Sequence, residues 1–128
     1  MARNPASTGR FAGKAMRKIS IHGWIELPSP QSFDGATATV GLDDVTLIDA
    51  LSTRIAETVI EGISGRQDRI PFHLEARWDF RARDSYVLAA EIRRSGRGRA
   101  GPGDFLTTVA VPWTVERTDG NSVPVTRI

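Results

Sequence analysis

The sequence contains no cysteine among its 128 residues. That excludes disulfides, zinc–thiolate sites, thiol nucleophiles and lipid attachment through a cysteine of this sequence. It leaves the compartment open, because a periplasmic domain can do without a disulfide. No stretch approaches the ~20 apolar residues of a membrane-spanning helix. Residues 1–20 also lack the apolar centre of a secretory leader. As written, the expected location is the cytoplasm or the interior of an assembled particle. A periplasmic or outer-membrane-associated location follows if a leader has been trimmed.

Chemistry-bearing patterns are equally scarce. The only histidines are His22 and His73, with no third ligand at metal spacing and no H-E-x-x-H. Asp43-Asp44 is followed by no calcium-loop spacing, and Asp44 and Asp49 read as turn residues that accept from backbone N–H groups. Ser52, Ser64 and Ser85 lack a nucleophile elbow. Residues 96–103, GRGRAGPG, lack the G-K-[ST] ending of a phosphate loop and precede a strand, so they read as a hairpin tip. No catalytic set, no metal ligand set and no cofactor site can be named. The expectation is a non-enzymatic chain without a small-molecule substrate.

What is present is an uneven charge distribution. The formal charge is +2, from 17 Lys and Arg against 15 Asp and Glu. Arg3, Arg10, Lys14, Arg17 and Lys18 all precede the first acid, Glu26, and Arg93, Arg94, Arg97 and Arg99 form a second run. Removing these nine leaves eight cations against 15 acids, so the remainder is near −7. The predicted layout is a basic arm over residues 1–17 and an acidic body over residues 18–128 with a basic loop. The arm has glycine, proline and serine, no period, and two large apolar residues, Phe11 and Met16, as candidate anchors.

From residue 18 onward the pattern is one of strands. Ile19, Ile21 and Ile25 alternate with Ser20, His22, Trp24 and Glu26, and Pro28 and Pro30 are expected to end that strand. After a turn at Phe33-Asp34-Gly35, Ala36, Ala38, Val40 and Leu42 alternate as a second strand. Residues 44–63 are ambiguous, because Ile48, Leu51, Ile55, Val59, Ile60 and Ile63 lie near helical spacing. Ile70 to Trp78 alternates cleanly, with Pro71 arguing for an edge or a strand start. Tyr86, Leu88, Ala90 and Ile92 form the next strand, paired with Phe105 to Val111, where Phe105, Thr107, Val109 and Val111 share a face. A last strand runs through Val123-Pro124-Val125-Thr126 after a turn at Asp119-Gly120-Asn121. Short strands about ten residues apart predict an all-β fold, a single Ig- or transthyretin-like sandwich of about seven strands. Trp24 shares the face of Ser20, His22 and Glu26, opposite the isoleucines, and reads either as an outward contact anchor or as a core or inter-sheet aromatic.

Several ordered motifs sharpen this picture. Asp44-Val45-Thr46-Leu47, Asp49-Ala50, Ile55-Ala56, Pro71-Phe72-His73-Leu74, Tyr86 and Ala90-Glu91-Ile92 occur in one order, preceded by the glycine-centred strand Ile21-His22-Gly23-Trp24-Ile25. Over about residues 19–115 the chain resembles the YscW/YbaY family of small bacterial domains, which includes type III secretion lipoprotein chaperones, or pilotins. The resemblance implies a β-sandwich and makes residues 53–61 a strand. It also implies a protein-binding role at a sheet edge or face. Family members commonly carry a leader and a lipidated cysteine, and this sequence shows neither. Two binding roles are therefore expected to compete. One is a pilotin- or chaperone-like module of an envelope or secretion assembly. The other is a structural subunit of a virion, tail or secretion complex that uses the arm as a clamp on a protein partner or another copy of itself. Nucleic-acid binding through the arm is the minor alternative. The candidate partner contacts are Arg3, Arg10, Phe11, Lys14, Met16, Arg17, Lys18, Trp24, Arg97 and Arg99.

Overall fold

The structure, a computed structural model, describes residues 16–47, 51–95 and 98–128. All regular structure among the described residues is strand: β1 (Arg17–Asp44), β2 (Thr53–Trp78), β3 (Tyr86–Arg93), β4 (Phe105–Leu106), β5 (Val111–Trp113), β6 (Asn121–Pro124) and β7 (Thr126–Arg127). The all-β sandwich expected from the alternation is what forms.

Its frame is one long antiparallel hairpin, β1 with β2, folded over on itself. Pairing runs from Arg17↔Trp78 to Glu26↔Arg69, is irregular between Glu26 and Gln31, and resumes to Asp44↔Thr53. The first half of β1 and the second half of β2 make one layer, to which β6 adds in parallel through Gly23↔Asn121 to Glu26↔Pro124. The remaining halves make the other layer with β3, which carries β4 and β5 on its far side, and β7 pairs with β4.

Two proline-based expectations are corrected here. Pro28 and Pro30 do not end a strand, and Phe33-Asp34-Gly35 is not a hairpin turn; both lie inside β1. Between the pairs Glu26↔Arg69 and Gln31↔Gln67, four residues of β1 (27–30) pass opposite one residue of β2, Asp68. The prolines sit in that unpaired excursion, so their missing N–H groups cost the ladder nothing. The inward parity changes further along, at the register shift between Asp34 and Ala36: Ile19, Ile21, Ile25, Leu27 and Phe33 are buried before it, and Ala36, Ala38, Val40 and Leu42 after it. A strand continuing in step would turn its second apolar row to solvent. Gly35, at φ +78°, supplies part of the adjustment.

The ambiguous segment is strand, not helix: Thr53–Trp78 is continuous. Ala56, Thr58 and Ile60 face the inward row of β1 across Leu42, Val40 and Ala38, which wins over the local helical spacing. The predicted strand from Phe105 to Val111 is broken. Thr107 explains the break: its Oγ1 accepts from Ala90 N at 3.0 Å while its own N–H donates to Ala90 O at 2.9 Å. The chain then leaves the ladder, exposing Val109, and returns at Val111.

Asp104 ties the glycine-rich connection to the body. It is buried, and its carboxylate accepts from Arg94 N and Gly101 N, both at 2.8 Å. Its backbone carbonyl accepts from Ile128 N at 2.9 Å. Asp104→Ala strands two part-buried donors and is expected to cost about 1–3 kcal/mol in urea unfolding. A loss below about 0.5 kcal/mol would show that the connection holds without it.

Candidate partner-binding surface

β2 lies at the end of the strand order and is hydrogen-bonded on one side only, to β1. Its other edge therefore presents backbone N–H and C=O groups with no strand partner among the described residues. An edge like this is a template for an incoming strand unless it is blocked. The second half is partly blocked, by Pro71 and the charged Arg66, Asp68 and Arg69. Residues 53–61 contain no proline; their charges are Arg54, Glu57 and Glu61, and Arg54 is held by Asp43 and Glu57.

Beside that open stretch, a groove of about 360 Å³ crosses the outer face of β2, β1, β3 and the start of β4. Small residues, Thr39 and Ala89, line its base. Arg54, Glu57 and Val59 rise on the β2 side, and Glu91, Arg93 and Leu106 on the other. Gly41 makes this possible: a Cβ there would collide with the Arg54 guanidinium, which lies across the strand between Asp43 and Glu57. Arg93 is likewise paired with Glu91. Both cations are answered by carboxylates, so the groove is no bare anion site. Val59 is 49% exposed and Leu106 36%, which leaves apolar contact area on each wall. Arg93 Nε is buried with no hydrogen-bond partner. Walls that alternate charged and apolar side chains beside an open strand edge suit a polypeptide ligand more than a small anion.

The opposite layer carries the candidate anchor. Of the two readings of Trp24, the outward one describes its position, but the ring is half-buried and tied down. Its Nε1–H donates to Glu26 Oε1 at 2.8 Å, and Arg69 sits 4.6 Å from the ring centroid. The Trp24 N–H and the Ser122 hydroxyl hold the Glu26 carboxyl below its ordinary pKa, with Arg69 adding to the effect. Lys18 shares this face and pairs with Glu75 at 3.7 Å. Arg17, the first residue of β1, lines an aromatic pocket with Phe80, Tyr86 and Trp113. Met16 is exposed, and so is Arg99, on the connection between β3 and β4. Arg3, Arg10, Phe11, Lys14 and Arg97 lie outside the described residues. The structure thus brings Lys18 and Trp24 to one face and places Arg99 elsewhere.

The basic run is also less free than its sequence implies. Arg94 donates to Gly103 O and Ser32 O and lies over Phe33, 4.9 Å from the ring centroid. With Arg93 paired, half of that run is structural.

Sequence reading missed two things. Gly41, the residue that opens the groove, has no local signal beyond being a glycine in a strand. His22 and His73 are cross-strand partners whose rings stack at 4.4 Å between centroids and 1° between planes. Their alignment depends on the hairpin register, which only the position of the bend fixes.

Comparison with known proteins places this geometry. Residues 17–104 match the family described as type III secretion system lipoprotein chaperone (YscW). The chain belongs to this family. The YscW match begins at the first residue of β1, so the hairpin, its free edge and most of the groove lie within the matched span. A solved structure of an alternative pilotin from the type II secretion system of Vibrio cholerae is similar in fold. The TM-score is 0.66 over 88% of this chain and 100% of that chain, at 24% identity. No curated protein matches the chain.

Proposed function

We propose that this protein is a non-enzymatic binding module of a bacterial secretion assembly, pilotin- or chaperone-like, acting in the cell envelope. The YscW family match over residues 17–104 carries the reading. The Vibrio cholerae pilotin, alike in fold, adds support. The ligand is a segment of a protein partner, and the surface that takes it is the open edge of β2 with the adjoining groove. A strand laid against residues 53–61 gains main-chain hydrogen bonds, while Val59 and Leu106 bury apolar area. The groove residues other than Leu106 fall inside the span shared with the family.

The test is affinity capture from the native host followed by mass spectrometry. Wild type, Val59→Arg, Trp24→Ala and a copy lacking residues 1–15 are compared. Val59→Arg is expected to lower capture of an envelope secretion component at least about tenfold, a loss of some 1.4 kcal/mol, and the other two to retain it. Equal capture by Val59→Arg would remove the groove from the reading. Recovery of particle subunits by the full-length chain alone would favour the clamp role of residues 1–15.

A further inference from the structure

The stacked histidines belong to no part of that surface. They lie on the outer face of the other layer, on rigid paired strands, and both are exposed to solvent. We propose that His22 and His73 form a two-imidazole clip for a divalent transition-metal ion of the copper, nickel and zinc class. The proposal is independent of the partner-binding reading.

Three observations support it. First, imidazole is the ligand these ions favour, and the hairpin register holds two of them side by side at no further cost in backbone order. Second, the rings already touch, stacked 4.4 Å apart between centroids and 1° between planes, and both are exposed. An ion bound at about 2.0–2.1 Å must lie in the plane of each ring, so both rings turn out of the stack about their broad ring torsions to share it. Third, the Glu75 carboxylate stands 4.0 Å from His73 Nε2 and bears the charge a cation needs nearby. Lys18, 3.7 Å from the same carboxylate, is the opposing charge, and its exposed, flexible stem lets it withdraw. Among the described residues no group of three or more His, Cys, Asp or Glu is arranged to hold a metal ion. The clip is accordingly an open site: two protein nitrogens, water in the remaining positions, and exchangeable ion. Affinity should follow the Irving–Williams order, with copper(II) tightest.

The experiment is a copper(II) titration of the full chain in a non-coordinating buffer. It is read by quenching of tryptophan fluorescence, Trp24 being on the same face, and by electron paramagnetic resonance of the bound ion. The expected result is one site with two equatorial nitrogens. His22→Ala and His73→Ala should each weaken binding more than about tenfold, because either change destroys the chelate. The double variant should be little worse than either single one. Thermal unfolding in a chelator should be the same for all four proteins, since both side chains lie on the surface. A spectrum with a single nitrogen, or a single variant that binds like wild type, would overturn the clip.

Discussion

Trp113→Ala is expected to cost about 3–5 kcal/mol of folding stability, the range for removing a buried Trp or Phe from a core. Trp113 is 2% exposed and is the largest of the fully buried side chains. It closes the end of the sandwich where the folded hairpin brings both of its ends together. Its ring packs edge-on against Phe80 at 5.5 Å and Tyr86 at 6.2 Å. Its Nε1–H donates to Arg117 O at 2.7 Å, which fixes the loop after β5. Truncation therefore leaves a cavity, loses two aromatic contacts and frees that loop. A domain of this size is stable by some 5–15 kcal/mol, so the loss is a large share of the whole. Chemical unfolding followed by circular dichroism measures it. Trp113→Phe keeps most of the apolar volume, loses the hydrogen bond, and should cost about 1–3 kcal/mol. Trp24→Ala is the contrast: Trp24 is on the outer face, so its loss should stay near or below about 1 kcal/mol. Equal costs for Trp24 and Trp113 would mean that the packing assignment of the two faces is wrong.

The same distinction shows what sequence reasoning can reach. Alternation identified the inward rows at Ile19 to Ile25, Ala36 to Leu42, Ile70 to Trp78 and Tyr86 to Ile92, because a half-buried strand must show period two. It put Trp24 on the face opposite the isoleucines for the same reason, while leaving core packing open. It could not join these rows. Whether Pro28 and Pro30 stop a strand or ride in an unpaired excursion depends on what the partner strand does opposite them, and that is set some forty residues later by Gln67 and Arg69. The break at Thr107 is also invisible locally, since it rests on a hydroxyl accepting from Ala90, seventeen residues back.

For the candidate surface the loss is greater, and for the same physical reason. The open edge of β2 is a statement about strand order, which no single strand carries. The groove needs Gly41, Arg54, Glu57 and Arg93 to be brought together by three strands. The family resemblance did settle residues 53–61 as strand, because the motifs around Asp44 and Pro71 fix what must lie between. The basic run from Arg93 to Arg99 was read by charge alone, and charge alone says little about contact: Arg93 and Arg94 prove to be internal fasteners.

Gly23 carries the second large effect. It falls on the inward side of β1 between Ile21 and Ile25, where a side chain would be expected, and β6 occupies that space instead. A Cβ at Gly23 would run into the backbone carbonyl and Cβ of Asn121. Asn121 cannot move aside cheaply, because it is buried and its Nδ2 donates to His22 O at 3.1 Å and Arg117 O at 2.9 Å. Gly23→Ala should cost about 1–3 kcal/mol by overpacking, and Gly23→Val more, by driving β6 off the layer. The loss would reach Val123 and Val125, both buried, and the amides of residues 121–125 should lose hydrogen-exchange protection ahead of the β1–β2 ladder. Gly41→Ala gives the control within the same strand. The atoms it meets belong to the Arg54 guanidinium, the free end of a long side chain. That group can swing away, at the cost of a partly exposed ion pair, so the expected loss is below about 1 kcal/mol. If Gly41→Ala proved the worse of the two, the Arg54 clamp rather than the parallel strand would be the less yielding neighbour. If both were neutral, β6 would not sit where Gly23 leaves room for it.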